Sequence, residues 1–237
     1  MNIEAIEASI KKFVKAHKNH LYAVTLTQSK AMELGATVGV SEHYRSNGYS
    51  VDIENPKSNP NKFVVKTSTR GHPWNFSRIH LKKGKLKFEI HMNLMVRSAH
   101  DDGIYCVDVG IVKPGTVPDK ATPKKWLCVE NRSMVTFSEV KKLVVYPMLL
   151  AQFIGIVHEI KPRFIGGRLP NGFQKNLHLP PSLISLGNFS GNSRNIVDAF
   201  SSRKINIGIY ENYDVRIANL RGKRSQTPFY GAEKDEI

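Results

Sequence analysis

Between Lys85 and Arg97 the side chains alternate without a break. Leu86, Phe88, Ile90, Met92, Leu94 and Val96 fall on one side, and Lys85, Lys87, Glu89, His91, Asn93, Met95 and Arg97 on the other. A period of two is the signature of a strand, and this one predicts an apolar face on a core and a mostly polar face toward solvent. Asp101, Asp102 and Gly103 form a turn, and Ile104 to Val112 follows as an apolar run interrupted only by Asp108. The two segments predict a hairpin.

Helical spacing surrounds that hairpin. Ile3, Ile6, Ile10, Phe13 and Val14 give a short amphipathic helix, and a second helix is expected from about Leu26 to Arg45, stopped by Asn47 and Gly48. Tyr49 to Ile53 reads as a strand and Asn55 to Asn61 as a loop. After the hairpin, a proline-rich loop leads to a third strand, Lys125 to Asn131. A long apolar helix is expected from near Phe137 to about Ile160, kinked or broken at Pro147, with Leu149 to Ile156 apolar on nearly every side and therefore well covered. Pro162 to Gly167 and Ser182 to Leu186 read as strands, Asn192 to Ser202 as a helix and Ile205 to Tyr210 as a last strand. The chain is thus of the α/β class, one domain over residues 1–220 with a loose basic and polar tail over 221–237.

Two carboxylates stand out because each interrupts an apolar run. Alternate strand residues share a face, so Cys106, Asp108 and Gly110 point together, as do Trp126, Cys128, Glu130 and Arg132. Paired in a suitable register, the strands bring Asp108 and Glu130 to one place. Converging carboxylates repel, and a divalent cation relieves the repulsion. The competing reading is a structural ion pair with Arg97, Arg132 or a lysine.

The order of helix, strand, strand bearing Asp, strand bearing Glu-X-basic, long helix and strand resembles the core of PD-(D/E)XK, or restriction-endonuclease-like, nucleases, with Asp108 and Glu130-Asn131-Arg132 in the motif positions. The resemblance spans roughly Lys85 to Tyr210. It implies a mixed central sheet flanked by helices, Mg²⁺ or Mn²⁺ held by Asp108 and Glu130, and hydrolysis of DNA phosphodiester bonds, as in restriction, anti-phage defence or mobile elements. It further implies that Arg132 stabilises charge on the phosphate. Arg132 replaces the lysine usual in that family and cannot act as a base, because arginine keeps its proton. Lys141 and Lys142 are substitutes for the missing lysine, and Glu89 or His91 are auxiliary groups on the neighbouring strand. Proteins of this fold often work as a homodimer or inside a larger defence complex. The alternative is a catalytically silent member of the fold that binds nucleic acid or scaffolds a complex.

Charge points the same way. There are 35 Lys and Arg against 20 Asp and Glu, leaving +15, the footprint of a polyanion partner. Between Arg70 and Lys87, the residues Trp74, Phe76 and His72 interleave with cations, so Arg70, Trp74, Arg78, Lys82 and Lys83 are the expected nucleic-acid contacts. An RNA-binding module is a further reading of the same charge. No stretch reads as a signal peptide, a membrane span or a basic amphipathic anchor, which argues for the cytoplasm and against a membrane. Cys106 and Cys128 lack the spacing of a zinc site and are expected as packed thiols. No phosphate-loop or dinucleotide glycine motif is present.

Overall fold

The computed structural model describes residues 3–17, 20–21, 28–118, 128–166, 169–203 and 205–211. In chain order these form α1 (Ile3–Ala16), β1 (His20–Leu21), α2 (Gln28–Ser46), β2 (Ser50–Glu54), β3 (Lys62–Phe63), β4 (Arg78–Lys83), β5 (Leu86–Arg97), β6 (Ile104–Val112), β7 (Met134–Lys141), α3 (Pro147–Ile160), α4 (Pro162–Ile165), β8 (Ser182–Ser185), α5 (Gly191–Ser202) and β9 (Gly208–Tyr210). Among the described residues, seven strands make one sheet in the order β2-β4-β5-β6-β7-β8-β9, and β1 and β3 pair separately.

The sheet is mixed. Neighbours from β2 to β7 run antiparallel, whereas β7, β8 and β9 are parallel. Parallel strands need crossovers, and α3 with α4, then α5, supply them. The expected hairpin is present as β5 and β6, in register from Glu89↔Val112 to Arg97↔Ile104. The regions expected as helices near both ends and as strands at β2, β8 and β9 form as such.

Both faces of the sheet are covered. α1 and α2 place Ile10, Leu34 and Tyr44 against Phe88, Ile90, Met92, Val109 and Ile111. On the other side α3 and α5 place Phe153, Val157 and Phe200 against Leu94, Val96, Val107 and Phe137. The middle of β5's polar face is therefore not solvated as its alternation predicts: Glu89, His91 and Asn93 are buried, while Lys87 near its start is exposed. The pattern of polar side chains is real, but they meet protein partners instead of water.

Other expectations are corrected. The segment read as the start of the long helix, Phe137 to Lys141, is the end of β7, and the helix begins only at Pro147. Proline fits a first helical turn, where its missing N–H has no intrahelical partner to lose, so Pro147 starts α3 instead of kinking it. Pro162–Ile165 is a short helix, not a strand. Of the expected strand Lys125 to Asn131, residues up to Leu127 lie outside the described set. Val129 makes an isolated bridge to Val96, and Asn131–Ser133 is a 3₁₀ turn. The tail over 221–237 also lies outside the described residues. Among the described residues no helix is long and apolar enough to cross a membrane.

Candidate active site

β6 and β7 part company in the middle of the sheet. Their ladder runs from Val112↔Met134 to Val109↔Ser138 and stops there. Beyond it, β6 continues with β5 alone, while Glu139, Val140 and Lys141 pair with Leu183, Ile184 and Ser185 of β8. Asp108 is the first residue of β6 past the fork. Its Oδ2 accepts the N–H of Val140 at 2.7 Å, standing in for the carbonyl that the diverging strand no longer offers.

That placement gathers three charged side chains. Lys141 Nζ donates to Asp108 Oδ2 at 3.3 Å and to Glu139 Oε2 at 2.9 Å. The Asp108 and Glu139 side chains are only 16% and 6% exposed, and Lys141 is 34% exposed, so the fork opens to solvent on the lysine side. Burial and the adjacent Asp108 charge push the Glu139 carboxyl up to about 7, with Lys141 opposing them. Burial would lower Lys141, but Glu139 and Asp108 more than reverse it and hold the ammonium well above its usual range. Glu139 Oε1 is buried and makes no well-aligned hydrogen bond among the described residues, the Asp108 backbone N–H being the amide that helps hold this carboxylate's charge.

A polar support reaches the same place from α2. Asn93, on β5, faces Asp108 of β6, between the pairs Met92↔Val109 and Leu94↔Val107. Its φ of 47° is left-handed, a conformation asparagine tolerates better than most residues. At this point β5 and β6 both switch faces: Met92 and Val109 belong to the core under α2, whereas Leu94 and Val107 belong to the core under α3. The Asn93 amide donates to Glu33 Oε2 at 2.9 Å and to the Lys66 carbonyl at 2.9 Å, and Lys66 Nζ donates to the Asn93 carbonyl at 2.9 Å. Lys30 closes the group on Glu33 at 2.7 Å. Cys106 stands among these groups; burial, with Asp108, Glu139 and Glu33, pushes its thiol up to about 11 against the pull of Lys66, so it stays neutral.

The expected site residues divide sharply. Asp108 is at the fork, and Lys141, named only as a substitute, is in contact with it. Glu130 is not. It lies just past Val129, on the edge of β5 facing away from β6, and pairs with Arg97 at 3.2 Å. Arg97 is four residues, or about 13 Å, along β5 from the Asn93 position that faces Asp108. Asp108 and Glu130 therefore share no ion. The pairing of their strands, on which that convergence depended, does not occur. Arg132 sits in the 3₁₀ turn near Lys161 and is absent from the fork, and Lys142 is exposed without a contact to the acidic pair.

Glu89 and His91 bond to each other at 3.1 Å, and Glu89 also accepts the Gly115 N–H at 3.2 Å with Arg78 at 3.8 Å. Burial raises Glu89, but His91, Arg78 and Gly115 outweigh it and hold the carboxyl low. Burial in turn lowers His91 despite Glu89. Neither residue reaches the fork. Cys106 and Cys128 are free and half-buried.

Of the expected nucleic-acid contacts, Arg70 and Lys82 are exposed. Trp74 stacks on His72 with ring centroids 4.3 Å apart. Arg78 is spent on Glu54 at 2.9 Å, and Lys83 donates to the Asn47 carbonyl at 2.8 Å, so these two hold the fold together.

Glu139 and Glu33 were missed. Glu139-Val140-Lys141 has the spacing of a Glu-X-Lys motif, and that signal was legible. It is masked because the apolar run around it predicts a helix, in which residues two apart do not share a face. Comparison of the chain with models of known protein families, with curated proteins and with solved structures finds no match in any of the three. The site is therefore judged on its own chemistry. Two adjacent carboxylates, one with a buried oxygen lacking a well-aligned hydrogen bond, form an all-oxygen set of the kind that suits Mg²⁺ or Mn²⁺.

Among the described residues a second group, His100, His158 and Glu159, has donor atoms within 4.8 Å of one another. It is already internally bonded: His100 Nε2 meets the His158 carbonyl at 3.1 Å, and Ser98 Oγ donates to Glu159 at 3.0 Å.

Proposed function

We propose that the protein is a metal-dependent nuclease of the restriction-endonuclease-like type, hydrolysing DNA phosphodiester bonds at the β6–β7 fork. The motif is Asp108 with Glu139-Val140-Lys141, in place of Glu130-Asn131-Arg132. The observation that carries this reading is the buried Glu139 carboxylate held beside that of Asp108, its Oε1 without a well-aligned hydrogen bond. A poorly bonded buried acceptor is costly, and two carboxylates in one place are costlier. Lys141 neutralises one side of the pair, on Asp108 Oδ2 and Glu139 Oε2, and a divalent ion would take the Glu139 Oε1 that the ammonium does not bond.

The topology supports the family resemblance. After α2 and the intervening β2, β3 and β4, the antiparallel β5, β6 and β7, a helical crossover and a parallel β8 follow one another, with the Asp on the second of those strands and Glu-X-Lys on the third. The objection raised by an arginine in the lysine position falls away, since Lys141 occupies it.

Asp108 and Glu139 would hold a divalent ion. Such an ion polarises a phosphate oxygen and lowers the pKa of an attacking water. Lys141 stays protonated between its two carboxylates, so it acts as a fixed positive charge toward the developing phosphorane and not as a base. Val140 N–H fixes the orientation of Asp108, and Asn93 ties Glu33 to the strand behind it. The net charge of +15 supplies attraction for the phosphate backbone.

The test is cleavage of supercoiled, linear and single-stranded DNA with Mg²⁺ or Mn²⁺. Asp108→Ala, Glu139→Ala and Lys141→Ala are each expected to lower the rate on the order of 10²–10³-fold. Glu130→Ala should cleave like the natural chain. Equal activity in the Glu139 variant removes the proposal, and preferential binding of structured RNA without cleavage replaces it with an RNA-binding role.

A further inference from the structure

At the opposite end of β6 and β7 from the fork lies a cavity of about 530 Å³. It is walled by Lys113 after β6, the 3₁₀ turn before β7, the junction of α3 with α4, and the segment from Pro170 to His178. That volume is within the range of small-ligand sites. Its near wall at Val135 is four residues, or about 13 Å, along β7 from Glu139.

The charged side chains that the described residues bring to this cavity are all of one sign. Lys113, Arg132, Lys161 and Arg163 line it, and among the described residues no carboxylate does. Lys113, Arg132 and Arg163 are exposed and form no salt bridge among the described residues. Lys161 is more deeply placed, its ammonium donating to the Asn131 carbonyl at 2.7 Å. The other wall is a packed aromatic row, of which Phe173, His178 and Phe88 present only an edge and Phe164 is fully buried behind them. Phe164 meets Phe173 edge-on at 4.9 Å, Phe173 meets His178 at 5.3 Å, and His178 meets Phe88 at 4.7 Å.

Four cations around one hollow repel each other, and burying one of them without a counter-charge costs more still. An anion in the hollow reverses both effects. A bare anion, however, has no use for an aromatic wall, whereas a ring system carrying a phosphate uses both halves.

We propose that this cavity binds a nucleoside phosphate, with its phosphate among Lys161, Arg163, Arg132 and Lys113 and its base against the aromatic wall. Burial, with Lys113 and Arg163 nearby, already lowers the Lys161 amine to about 8, a penalty that a bound phosphate removes. The site is independent of the nuclease reading, because it shares no residue with the fork. The same chemistry is offered by a free mononucleotide and by the 5′-phosphorylated end of a strand.

The experiment is calorimetric titration of the full chain with AMP, GMP, CMP and UMP, with adenosine and inorganic phosphate, and with a short oligonucleotide bearing or lacking a 5′-phosphate. At least one nucleotide is expected to bind, and adenosine and phosphate to bind far more weakly. Arg163→Ala, which alters an exposed side chain, and Lys161→Met, which keeps the buried stem, should each weaken binding by about tenfold or more. A chain carrying both Asp108→Ala and Glu139→Ala should bind like the natural one, which separates this site from the catalytic proposal. Tighter binding of the mononucleotide assigns a free ligand, and tighter binding of the 5′-phosphorylated strand assigns a strand end. Either result supports the site. The inference is overturned by failure of every nucleotide and oligonucleotide to bind at millimolar concentration, by inorganic phosphate binding as tightly as nucleotides, or by unchanged affinity in both variants.

Discussion

Glu139 sits where a carboxylate is least favourable, buried in the sheet with Asp108 on one side and one oxygen without a well-aligned hydrogen bond. Its proton is held to about 7, above the ordinary 4.5. Between those two pH values the unfolded chain has lost that proton and the folded chain has kept it, so this group makes stability fall as pH rises from about 4.5 to about 7. Glu139→Gln removes the charge, and its amide can donate to Asp108. We expect the variant to melt roughly 2–4 °C higher than the natural chain at pH 8 without metal, the difference shrinking toward pH 5. Mg²⁺ should raise the melting temperature of the natural chain and leave the variant unmoved. A variant that melts lower at pH 8, or a gap that ignores pH, contradicts the electrostatic account of the fork.

At the scale of elements, the join between β7 and α3 decides whether the Glu-X-Lys motif is assembled. β7 must end at Lys141 and the chain must turn before Pro147, and the turn packs on the loop after β8. Val145 N–H donates to the Asn188 carbonyl at 2.9 Å and Ser190 N–H to the Val145 carbonyl at 2.9 Å. Gly187 makes the approach possible, since a Cβ there would fall 2.6 Å from backbone atoms of Leu143 and Val144. Gly187→Ala is therefore expected to cost about 1–3 kcal/mol in urea unfolding, by overpacking against rigid backbone. Pro147→Ala, at a helix start where proline is merely well suited, should change stability by no more than about 1 kcal/mol. Equal effects of the two substitutions would show that the close loop packing is not what fixes this turn.

For the molecule as a whole, an excess of positive charge does not make every cation available. Arg78 is 11% exposed and forked onto Glu54, whereas Arg70 is exposed on a loop. Arg78→Ala is thus predicted to lower the unfolding midpoint, by removing the guanidinium beside the buried Glu89 and its fork on Glu54, with a smaller effect on salt sensitivity. Arg70→Ala should leave the midpoint alone and flatten the salt dependence of DNA binding. The natural chain is expected to lose affinity on the order of 10³-fold between about 50 and 200 mM salt, the signature of several phosphate contacts. A shallow dependence in filter binding or anisotropy would argue against a phosphate-backbone ligand.

Local order in the chain was enough to place the hairpin, both terminal helical regions, Asp108 and the surplus of positive charge, because periodicity and charge are properties of neighbouring residues. The partner of Asp108 was decided only by the tertiary structure. An apolar run such as Phe137 to Ile160 is consistent with helix or strand until its cover is known. Here β8 pairs with Glu139 to Lys141 and draws them into the sheet, while Val129 bonds to the far edge of β5 and takes Glu130 away. Coverage was hidden for the same reason. α2, with its glycines and polar residues, is buried from Ala31 to Tyr44, while the more apolar α3 leaves Met148 62% exposed. Which strand lies beside which, and which face meets a helix, depends on contacts between residues far apart in the chain, and no local pattern encodes those.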